Sequence, residues 1–273
     1  MLLSELERFI EEDIGYNDVS CNIIPDCNVH AEVVAKEYGI VAGLSEATQV
    51  FEYFDIFAAT DFTDSDLIKE NDIVFTLEGG ARSILKAERL ALNFLGRMSG
   101  IATLTRQYVE RADGPRIAGT RKTTPGFRKF EKKAVIAGGG DPHRFNLSDA
   151  VMIKDNHIAV LGLEKAVDAA KKTASFTQKI EVEVENSDSA IQAAELGVDI
   201  IMFDNMSPDE IGKAVQILKE KSLRDAVFLE ASGNMSLENI ARYSKTGVDV
   251  ISVGALTHSS NWLDLSLRIV SKD

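Results

Sequence analysis

The sequence is poor in several features that define other classes of protein. Its 273 residues include two cysteines, Cys21 and Cys27, too few for a disulfide framework and without the spacing of a zinc site. No apolar run approaches the roughly 18 residues that cross a bilayer. The first residues lack the basic segment and apolar core of a secretory signal. These absences predict a globular protein of the reducing cytoplasm, with no membrane partner.

Basic residues are also scarce. The chain has 30 lysines and arginines against 43 acidic residues, for a net charge of −13. Nucleic acid is therefore not an expected partner, because binding it needs a basic surface. Residues 116–154 are the exception: nine basic and three acidic residues give +6 there and leave −19 for the rest. This local excess suits a small polyanionic ligand. For Lys129, Lys132 and Lys133 we favour the alternative, a solvated helix face.

Hydrophobic periodicity divides the chain into two parts. Helical spacing over 4–12, 47–57 and 83–95 is interrupted by strand-like patterns over 32–36 and 71–78. From residue 116, short apolar strands alternate with helices, as in parallel sheets with crossover helices. The predicted strands cover 116–118, 150–153, 180–184, 200–203, 227–229 and 250–253. The predicted helices between them cover 125–137, 163–172, 189–196, 208–221 and 237–245.

Six such units can close as a (β/α) barrel or lie open as a doubly wound sheet. An open nucleotide-binding sheet usually carries a glycine-rich turn after its first strand, and neither GxGxxG nor GxxxxGK[ST] occurs here. Polar residues instead follow nearly all six strands at their carboxyl ends, where a barrel places its active site. We predict a barrel.

Cationic residues cluster after the first two predicted strands and in the segment between them. Arg121, Lys122, Arg144 and Lys154 offer donors suited to carboxylates and phosphates. His143, next to Arg144, is expected to contact substrate. By contrast, His30 and His258 have no chemical neighbours in the sequence and are expected to be surface or structural residues.

Carboxylates and small residues occupy the other strand ends. Glu183 and Asp204 provide the one or two carboxylates that hold Mg²⁺ against substrate phosphates. Small residues at 232–233 and 254–255 allow backbone N–H groups to approach a phosphate. The combination predicts a phosphorylated sugar and a second anionic substrate. For Glu183 alone, an ion pair inside the barrel is an equally good explanation.

Longer motifs resemble the quinolinate phosphoribosyltransferase family, and the similarity covers nearly the whole chain. The matching segments are 11–15, 88–93, 99–103, 119–126 (GTRKTTPG), 131–134, 138–140, 143–144, 153–157 (IKDNH), 247–249 and 253–258. The resemblance implies an α/β protein: an N-terminal α/β sandwich domain over 1–103 and a catalytic barrel of about six strands over 104–257. The tail, 258–273, is expected to pack on the N-terminal domain.

The resemblance also implies an activity. Phosphoribosyl pyrophosphate and quinolinate would react with decarboxylation to give nicotinate mononucleotide, pyrophosphate and CO₂, a step of NAD biosynthesis. Mg²⁺ is the expected cofactor, and no organic cofactor is expected. The expected assembly is a homodimer, with a higher assembly of dimers left open, in which each barrel faces the partner's N-terminal domain.

Roles carried over from the family can be placed on residues of this chain. Quinolinate would be held by Arg121, His143, Arg144 and Lys154, with Arg89 of the partner subunit. Phosphoribosyl pyrophosphate and Mg²⁺ would be served by Lys122, Glu183 and Asp204, beside Thr120. The 5-phosphate would lie against Ser232, Gly233, Asn234, Val253, Gly254 and Ala255. The catalytic set would be Lys122, Lys154, Glu183 and Asp204.

Three positions depart from the family pattern. Asn146 stands where glycine is usual, and asparagine tolerates the left-handed backbone that glycine adopts. Asn234 replaces a glycine of the phosphate loop, which bears on its backbone donors. Pro142 replaces an asparagine before His143 and bears on how that residue is presented.

Three other functions are compatible with a barrel of this composition. One is a relative of the same family that acts on another anionic acceptor, such as those associated with molybdenum transport, but those relatives lack the Lys-Asp-Asn-His motif. Another is a Schiff-base aldolase using Lys122 or Lys154, which would need a desolvated lysine. The third is a catalytically silent sensor, which retention of Lys154, Glu183 and Asp204 disfavours.

Overall fold

The computed structural model describes residues 1–272, which form two units. One unit contains residues 1–104, 136–139 and 260–272, and the other contains residues 105–135 and 140–259. Within the described residues, no helix is long and apolar enough to span a membrane.

Strands and helices alternate along most of the chain. The strands are β1 (Asn28–Ala35), β2 (Gly39–Ile40), β3 (Phe57–Ala59), β4 (Leu67–Ile68), β5 (Ile73–Gly80), β6 (Arg116–Ala118), β7 (Val151–Ile153), β8 (Ile180–Val184), β9 (Ile200–Asp204), β10 (Phe228–Ser232), β11 (Val250–Ser252) and β12 (Leu265–Lys272). The helices are α1 (Leu3–Ile14), α2 (Leu44–Tyr53), α3 (Ala81–Arg111), α4 (Arg128–Ala137), α5 (Asp155–Leu161), α6 (Leu163–Thr173), α7 (Ser187–Glu195), α8 (Pro208–Glu220), α9 (Ile240–Tyr243) and α10 (Ala255–His258).

The first unit is built on an antiparallel sheet of order β12-β1-β5-β3. Helices pack on this sheet and on one another through aromatic contacts. Phe51 of α2 meets Phe75 of β5 with ring centroids 5.6 Å apart, and Phe9 of α1 meets Phe94 of α3 at 5.3 Å. The C-terminal strand β12 pairs antiparallel with β1 from Val29 to Ala35. The result is the α/β sandwich expected from the sequence.

Helix α2 begins earlier and ends earlier than the periodicity predicts. The backbone N–H groups of Gly43 and Leu44 both donate to Asp64 Oδ1, at 3.0 and 3.1 Å, so a residue twenty positions away caps the helix. Phe57, predicted as helical, lies in β3 and pairs with Glu78 of β5. The cap and the strand pairing depend on distant residues, which periodicity does not detect.

The second unit contains a six-stranded parallel sheet of order β6-β11-β10-β9-β8-β7. The first strand pairs with the last, as Val250 with Arg116, and the remaining strands follow in descending order, as around a barrel. Among the described residues, no ladder joins β6 to β7. Asp141 occupies this seam beside β6: its N–H donates to Ile117 O at 2.8 Å, and its carbonyl accepts from Gly119 N at 2.9 Å.

The strands of the second unit lie where the sequence predicts them to within two or three residues, but four helices differ. α4 begins at Arg128 and not at Pro125, because buried Glu131 accepts from the N–H and hydroxyl of Thr124 and holds the preceding turn. α5 and α10 were not predicted. The last predicted helix is reduced to α9 and a 3₁₀ turn over Ser244–Thr246.

Candidate active site

The carboxyl ends of the six parallel strands surround one cavity of about 750 Å³ in the second unit. Parallel strands present their carboxyl ends on one side of a barrel, so residues far apart in sequence meet there. Most of the residues predicted for the site line this cavity: Thr120, Arg121, Lys122, His143, Arg144, Lys154, Glu183, Asp204, Ser232, Gly233, Asn234, Gly254 and Ala255.

Two predicted residues do not line the cavity. Val253, expected at the 5-phosphate, is fully buried, and its N–H donates to Ala118 O at 2.8 Å as part of the sheet. Arg89 is exposed on α3, in the first unit. Conversely, His258 lines the cavity, although it was expected to be a surface or structural residue. It lies beside Gly254: a Cβ added at Gly254 would be 3.1 Å from His258 Nε2.

Cations form one side of the cavity. Arg121 Nε is buried and makes no hydrogen bond to any residue that the structure describes. Burial, together with the charges of Arg144 and Arg128, lowers the pKa of Arg121. Arg144 Nη2 lies 2.9 Å from Met152 Sδ, a weak acceptor. Two guanidinium groups with little local compensation favour an anion between them.

Lys154 connects this cationic side to the carboxylates. It follows β7, and its ammonium group forms an ion pair with Glu183 of β8. The backbone N–H of Lys154 donates to His157 Nδ1 at 3.1 Å in the first turn of α5. The Lys-Asp-Asn-His motif is therefore a strand-to-helix turn that fixes the backbone of Lys154, and His157 serves that turn.

Glu183 and Asp204 lie at the ends of the neighbouring strands β8 and β9, and both line the cavity. Asp204 Oδ2 accepts from Asn205 Nδ2 at 3.0 Å. Both carboxylates are partly exposed, so their oxygens are available to a ligand. Hard oxygen donors of this kind, one or two in number and open to a phosphate-binding cavity, fit Mg²⁺.

A buried network that the sequence did not assign lies below the cations. His143 Nε2 lies 3.2 Å from Glu230 Oε2, and Ser252 Oγ donates to Glu230 Oε1. Burial opposes protonation of His143, but the hydrogen bond and charge of Glu230 outweigh it and raise the pKa of the imidazole. Glu181 is also fully buried, and burial followed by the charge of Glu230 raises the pKa of its carboxyl.

The only sequence signal for this network is a charged residue within a buried parallel strand, at Glu181 and at Glu230. Ligand atoms of His143, Glu181 and Glu230 lie within 4.8 Å of one another. The network fixes the imidazole of His143 from below, since Glu230 engages Nε2 and the backbone N–H of Arg144 donates to Nδ1 at 2.8 Å.

The small residues at the remaining strand ends form a loop with left-handed backbone. Gly233 has φ +98°, and a Cβ there would overlap the side-chain amide of Asn205. Asn234 has φ +50°, which asparagine tolerates, and its Nδ2 donates to Asn205 Oδ1 at 3.2 Å. Asn234 therefore adopts a left-handed backbone, and its side chain is held by Asn205.

The other two departures from the family pattern lie in the segment that carries His143. Asn146 does not use the left-handed conformation; its Oδ1 accepts from Ser148 N at 2.7 Å in a polar turn. The positive φ, +54°, is at His143, directly after Pro142. His143 N–H donates to Asp141 Oδ1 at 2.7 Å, which stabilises this conformation.

Comparison with known proteins gives concordant results. The model of the quinolinate phosphoribosyl transferase C-terminal domain matches residues 101–268, and that of the N-terminal domain matches residues 16–99. A probable nicotinate-nucleotide pyrophosphorylase [carboxylating] of Methanothermobacter thermautotrophicus is 46% identical over 98% of this chain and 99% of its own. The human nicotinate-nucleotide pyrophosphorylase [carboxylating] is 39% identical over 89% of this chain and 83% of its own.

A solved structure agrees in fold. The nicotinate-nucleotide pyrophosphorylase of Ehrlichia chaffeensis superposes with a TM-score of 0.93 at 34% identity, covering 99% of both chains. The two family models together match most of the sequence, and four of the motifs that carry the resemblance, at 119–126, 143–144, 153–157 and 253–258, contribute residues to the cavity. This chain belongs to the quinolinate phosphoribosyl transferase family.

Proposed function

We propose that the chain transfers the phosphoribosyl group of phosphoribosyl pyrophosphate to quinolinate, with decarboxylation, as a step of NAD biosynthesis. The observation that carries this proposal is that one cavity holds both a cationic side and a carboxylate-and-glycine side. A pyridine dicarboxylate suits the first, and a phosphorylated sugar with its metal ion suits the second.

Arg121, Arg144 and Lys154 bind the two carboxylates of quinolinate and place its ring nitrogen beside C1 of the ribose. The nitrogen attacks C1 as the bond to pyrophosphate breaks, and the ring becomes cationic. Holding both reactants in one cavity lowers the barrier, because the encounter becomes an intramolecular event. Lys122 neutralises the departing pyrophosphate in this proposal, which is supported by its exposure and its place in the cavity lining.

Decarboxylation follows from the charge acquired in that step. The C2–carboxylate bond breaks, CO₂ leaves, and its electron pair stays on C2 next to the cationic nitrogen until C2 takes up a proton. The ribosylated ring accepts this charge by itself, so the chemistry requires no organic cofactor. The role of the protein is to orient the carboxylate and exclude competing geometries.

Glu183 and Asp204 would hold Mg²⁺ together with the substrate's phosphate oxygens. Bound there, the ion would supply positive charge to the leaving pyrophosphate. Lys154 forms an ion pair with Glu183. This ion pair links a residue assigned to quinolinate to a residue assigned to Mg²⁺.

The structure weakens the case for an aldolase. Lys122 is exposed, and the side chain of Lys154 is 41% exposed and paired with Glu183, so neither lysine has the desolvated surroundings of a Schiff-base nucleophile. A family member acting on a different anionic acceptor differs only in its acceptor, and acceptor assays distinguish it.

A homodimer, with Arg89 entering the site of the partner subunit, and a cytoplasmic location complete the proposal. Cys21 and Cys27 are both free thiols, as suits a reducing compartment.

Release of ¹⁴CO₂ from carboxyl-labelled quinolinate tests the activity. We expect release only when phosphoribosyl pyrophosphate and Mg²⁺ are both present, and loss of release in the Lys154→Met variant. Nicotinate lacks the 2-carboxylate and leaves cationic groups unpaired, so it should be a poor acceptor. Turnover of nicotinate comparable to that of quinolinate would contradict the assignment, and borohydride trapping of a carbonyl substrate would favour the aldolase.

A further inference from the structure

Helix α4 has cationic residues on the side that faces the His143–Arg144 segment. Lys132 was expected on a solvated face, but it is fully buried, and its ammonium group donates to the carbonyl of Pro142. Arg128, one turn earlier, donates through Nη1 to the carbonyl of Phe145 at 3.0 Å. The two helix cations thus hold the carbonyl groups immediately before and after His143–Arg144.

The segment between these two carbonyls needs such support. His143 has φ +54°, a conformation that costs a residue with a side chain about 1–3 kcal/mol and persists only when its surroundings hold it. Asp141 Oδ1 accepts from His143 N–H on one side, and Lys132 holds Pro142 on the other. The Lys132 ammonium also lies 5.9 Å from the centre of the Phe145 ring, within reach of a cation–π contact.

Burying an ammonium group costs desolvation free energy, and here that group bonds one carbonyl oxygen. Burial, followed by the charges of Arg128, Arg144 and Arg121, lowers the pKa of Lys132 to about 8, with Asp141 opposing the shift. A neutral donor would satisfy Pro142 O at lower cost. The charge of Lys132 is partly offset by Asp141, whose Oδ1 also accepts from His143 N–H, so the lysine and the aspartate hold the same segment.

We propose that Lys132 is a positioning residue for the dicarboxylate substrate: through the carbonyl of Pro142 it sets the place of His143 and Arg144 and thereby determines capture of quinolinate. Lys132 does not itself line the cavity. The identity of the ligand rests on the proposed function. Arg128 shares the task from the Phe145 side.

This arrangement affects one substrate and not the other. The segment from Asp141 to Phe145 carries His143 and Arg144, which we assign to quinolinate, whereas the 5-phosphate and Mg²⁺ ligands lie on β8 to β11 and the loops that follow them. Displacement of a binding group by about 1 Å can cost about 100-fold. A purely structural lysine would instead impair both substrates together, or neither.

The test uses Lys132→Met, which keeps the length of the side chain but removes the donor and the charge. Steady-state assays of the full-length protein should show the KM for quinolinate raised about 10- to 100-fold and the KM for phosphoribosyl pyrophosphate changed less than about threefold. Lys129→Met is the matched control, because Lys129 is exposed on the same helix, and it should leave both constants unchanged.

Each outcome decides the proposal. Equal changes in the two KM values, or no change, in a folded Lys132→Met protein would overturn it. If this variant shows no cooperative thermal transition, Arg128→Met decides instead, and it should raise the quinolinate KM selectively by a smaller factor; a non-selective effect would overturn the proposal. If the wild-type protein does not turn over quinolinate, the proposed function itself fails, a result distinct from normal wild-type turnover with an unselective variant.

Discussion

At the residue scale, Glu183 and Asp204, the two carboxylates assigned to Mg²⁺, can be tested by substitution. Glu183→Ala and Asp204→Ala should each weaken the binding of phosphoribosyl pyrophosphate by about tenfold or more, and the binding of quinolinate much less. The reason is that each substitution removes a ligand of the Mg²⁺ that binds the phosphates. Calorimetric titration of each substrate measures this. Glu185→Ala is the matched control, since Glu185 follows the same strand but is exposed and does not line the cavity.

If either variant instead lost quinolinate binding selectively, these carboxylates would belong to the quinolinate site and not to the Mg²⁺ site. Because Glu183 forms an ion pair with Lys154, we expect Glu183→Ala also to weaken quinolinate binding modestly.

Lys132 also predicts how stability depends on pH. Its pKa in the folded protein is about 8, below that of the unfolded chain, so between about pH 8 and pH 10 the unfolded chain binds more protons. The free energy of unfolding of the wild type relative to Lys132→Met should therefore rise as pH increases through this window. Urea denaturation at pH 7, 8.5 and 9.5 measures the difference.

Exposed Lys129 provides the comparison for that experiment. Relative to Lys129→Met, the wild-type free energy of unfolding should show much less pH dependence across the same range. A flat or falling wild-type-minus-Lys132→Met difference above pH 8 would mean that Lys132 is not held in the buried environment that the structure describes.

At the element scale, two helical glycines should respond to alanine in opposite directions. A Cβ at Gly100 in α3 would overlap the carbonyl oxygen of Asn261, whereas a Cβ at Gly212 in α8 would meet nothing within 4 Å. Gly100→Ala should lose about 1–3 kcal/mol of unfolding free energy through overpacking. Gly212→Ala should gain about 0.5–1 kcal/mol from helix propensity.

Chemical denaturation of the two variants measures both effects against the wild type. Equal stabilisation by both substitutions would show that the segment at Asn261 and Trp262 does not pack against Gly100 as the structure has it.

At the scale of the whole molecule, mixing two inactive variants tests the proposed dimer. Arg89→Ala and Lys154→Ala should each be nearly inactive. In a hybrid dimer, one site collects both defects and the other has neither. Random exchange makes about half of the dimers hybrid, so about a quarter of wild-type activity should return. Activity after exchange, with hybrid formation verified by mass spectrometry, is the measurement.

The control mixes Lys154→Ala with Glu183→Ala, both from the cavity of one chain, and should restore nothing. If the Arg89→Ala mixture also stays inactive while hybrids form, Arg89 does not act in the partner's site.

Much of the fold could be predicted because its signals are local. The alternation of apolar strands and helices from residue 116 predicted the parallel sheet and the start of α8 at residue 208. The structure shows a local cap there: Ser207 Oγ accepts from Glu210 N, and Ser207 N–H donates to Glu210 Oε2. The start of α2 was not predictable in this way, since its cap is Asp64. The start of α4 was missed because Glu131 stabilises a non-helical turn before it.

The sequence by itself determined the family, the activity and most of the cavity lining, because chemistry-bearing residues follow each strand in long, consistently spaced motifs. Only the tertiary structure decided which charges are buried. Lys129 and Lys132 are indistinguishable in sequence, but one is exposed and the other fully buried beneath the His143–Arg144 segment. Likewise, Glu230 and His143 are 87 residues apart, and only barrel closure brings their charges within 3.2 Å. Burial and long-range pairing depend on packing between distant segments, and the local spacing of residues in the sequence does not predict that packing.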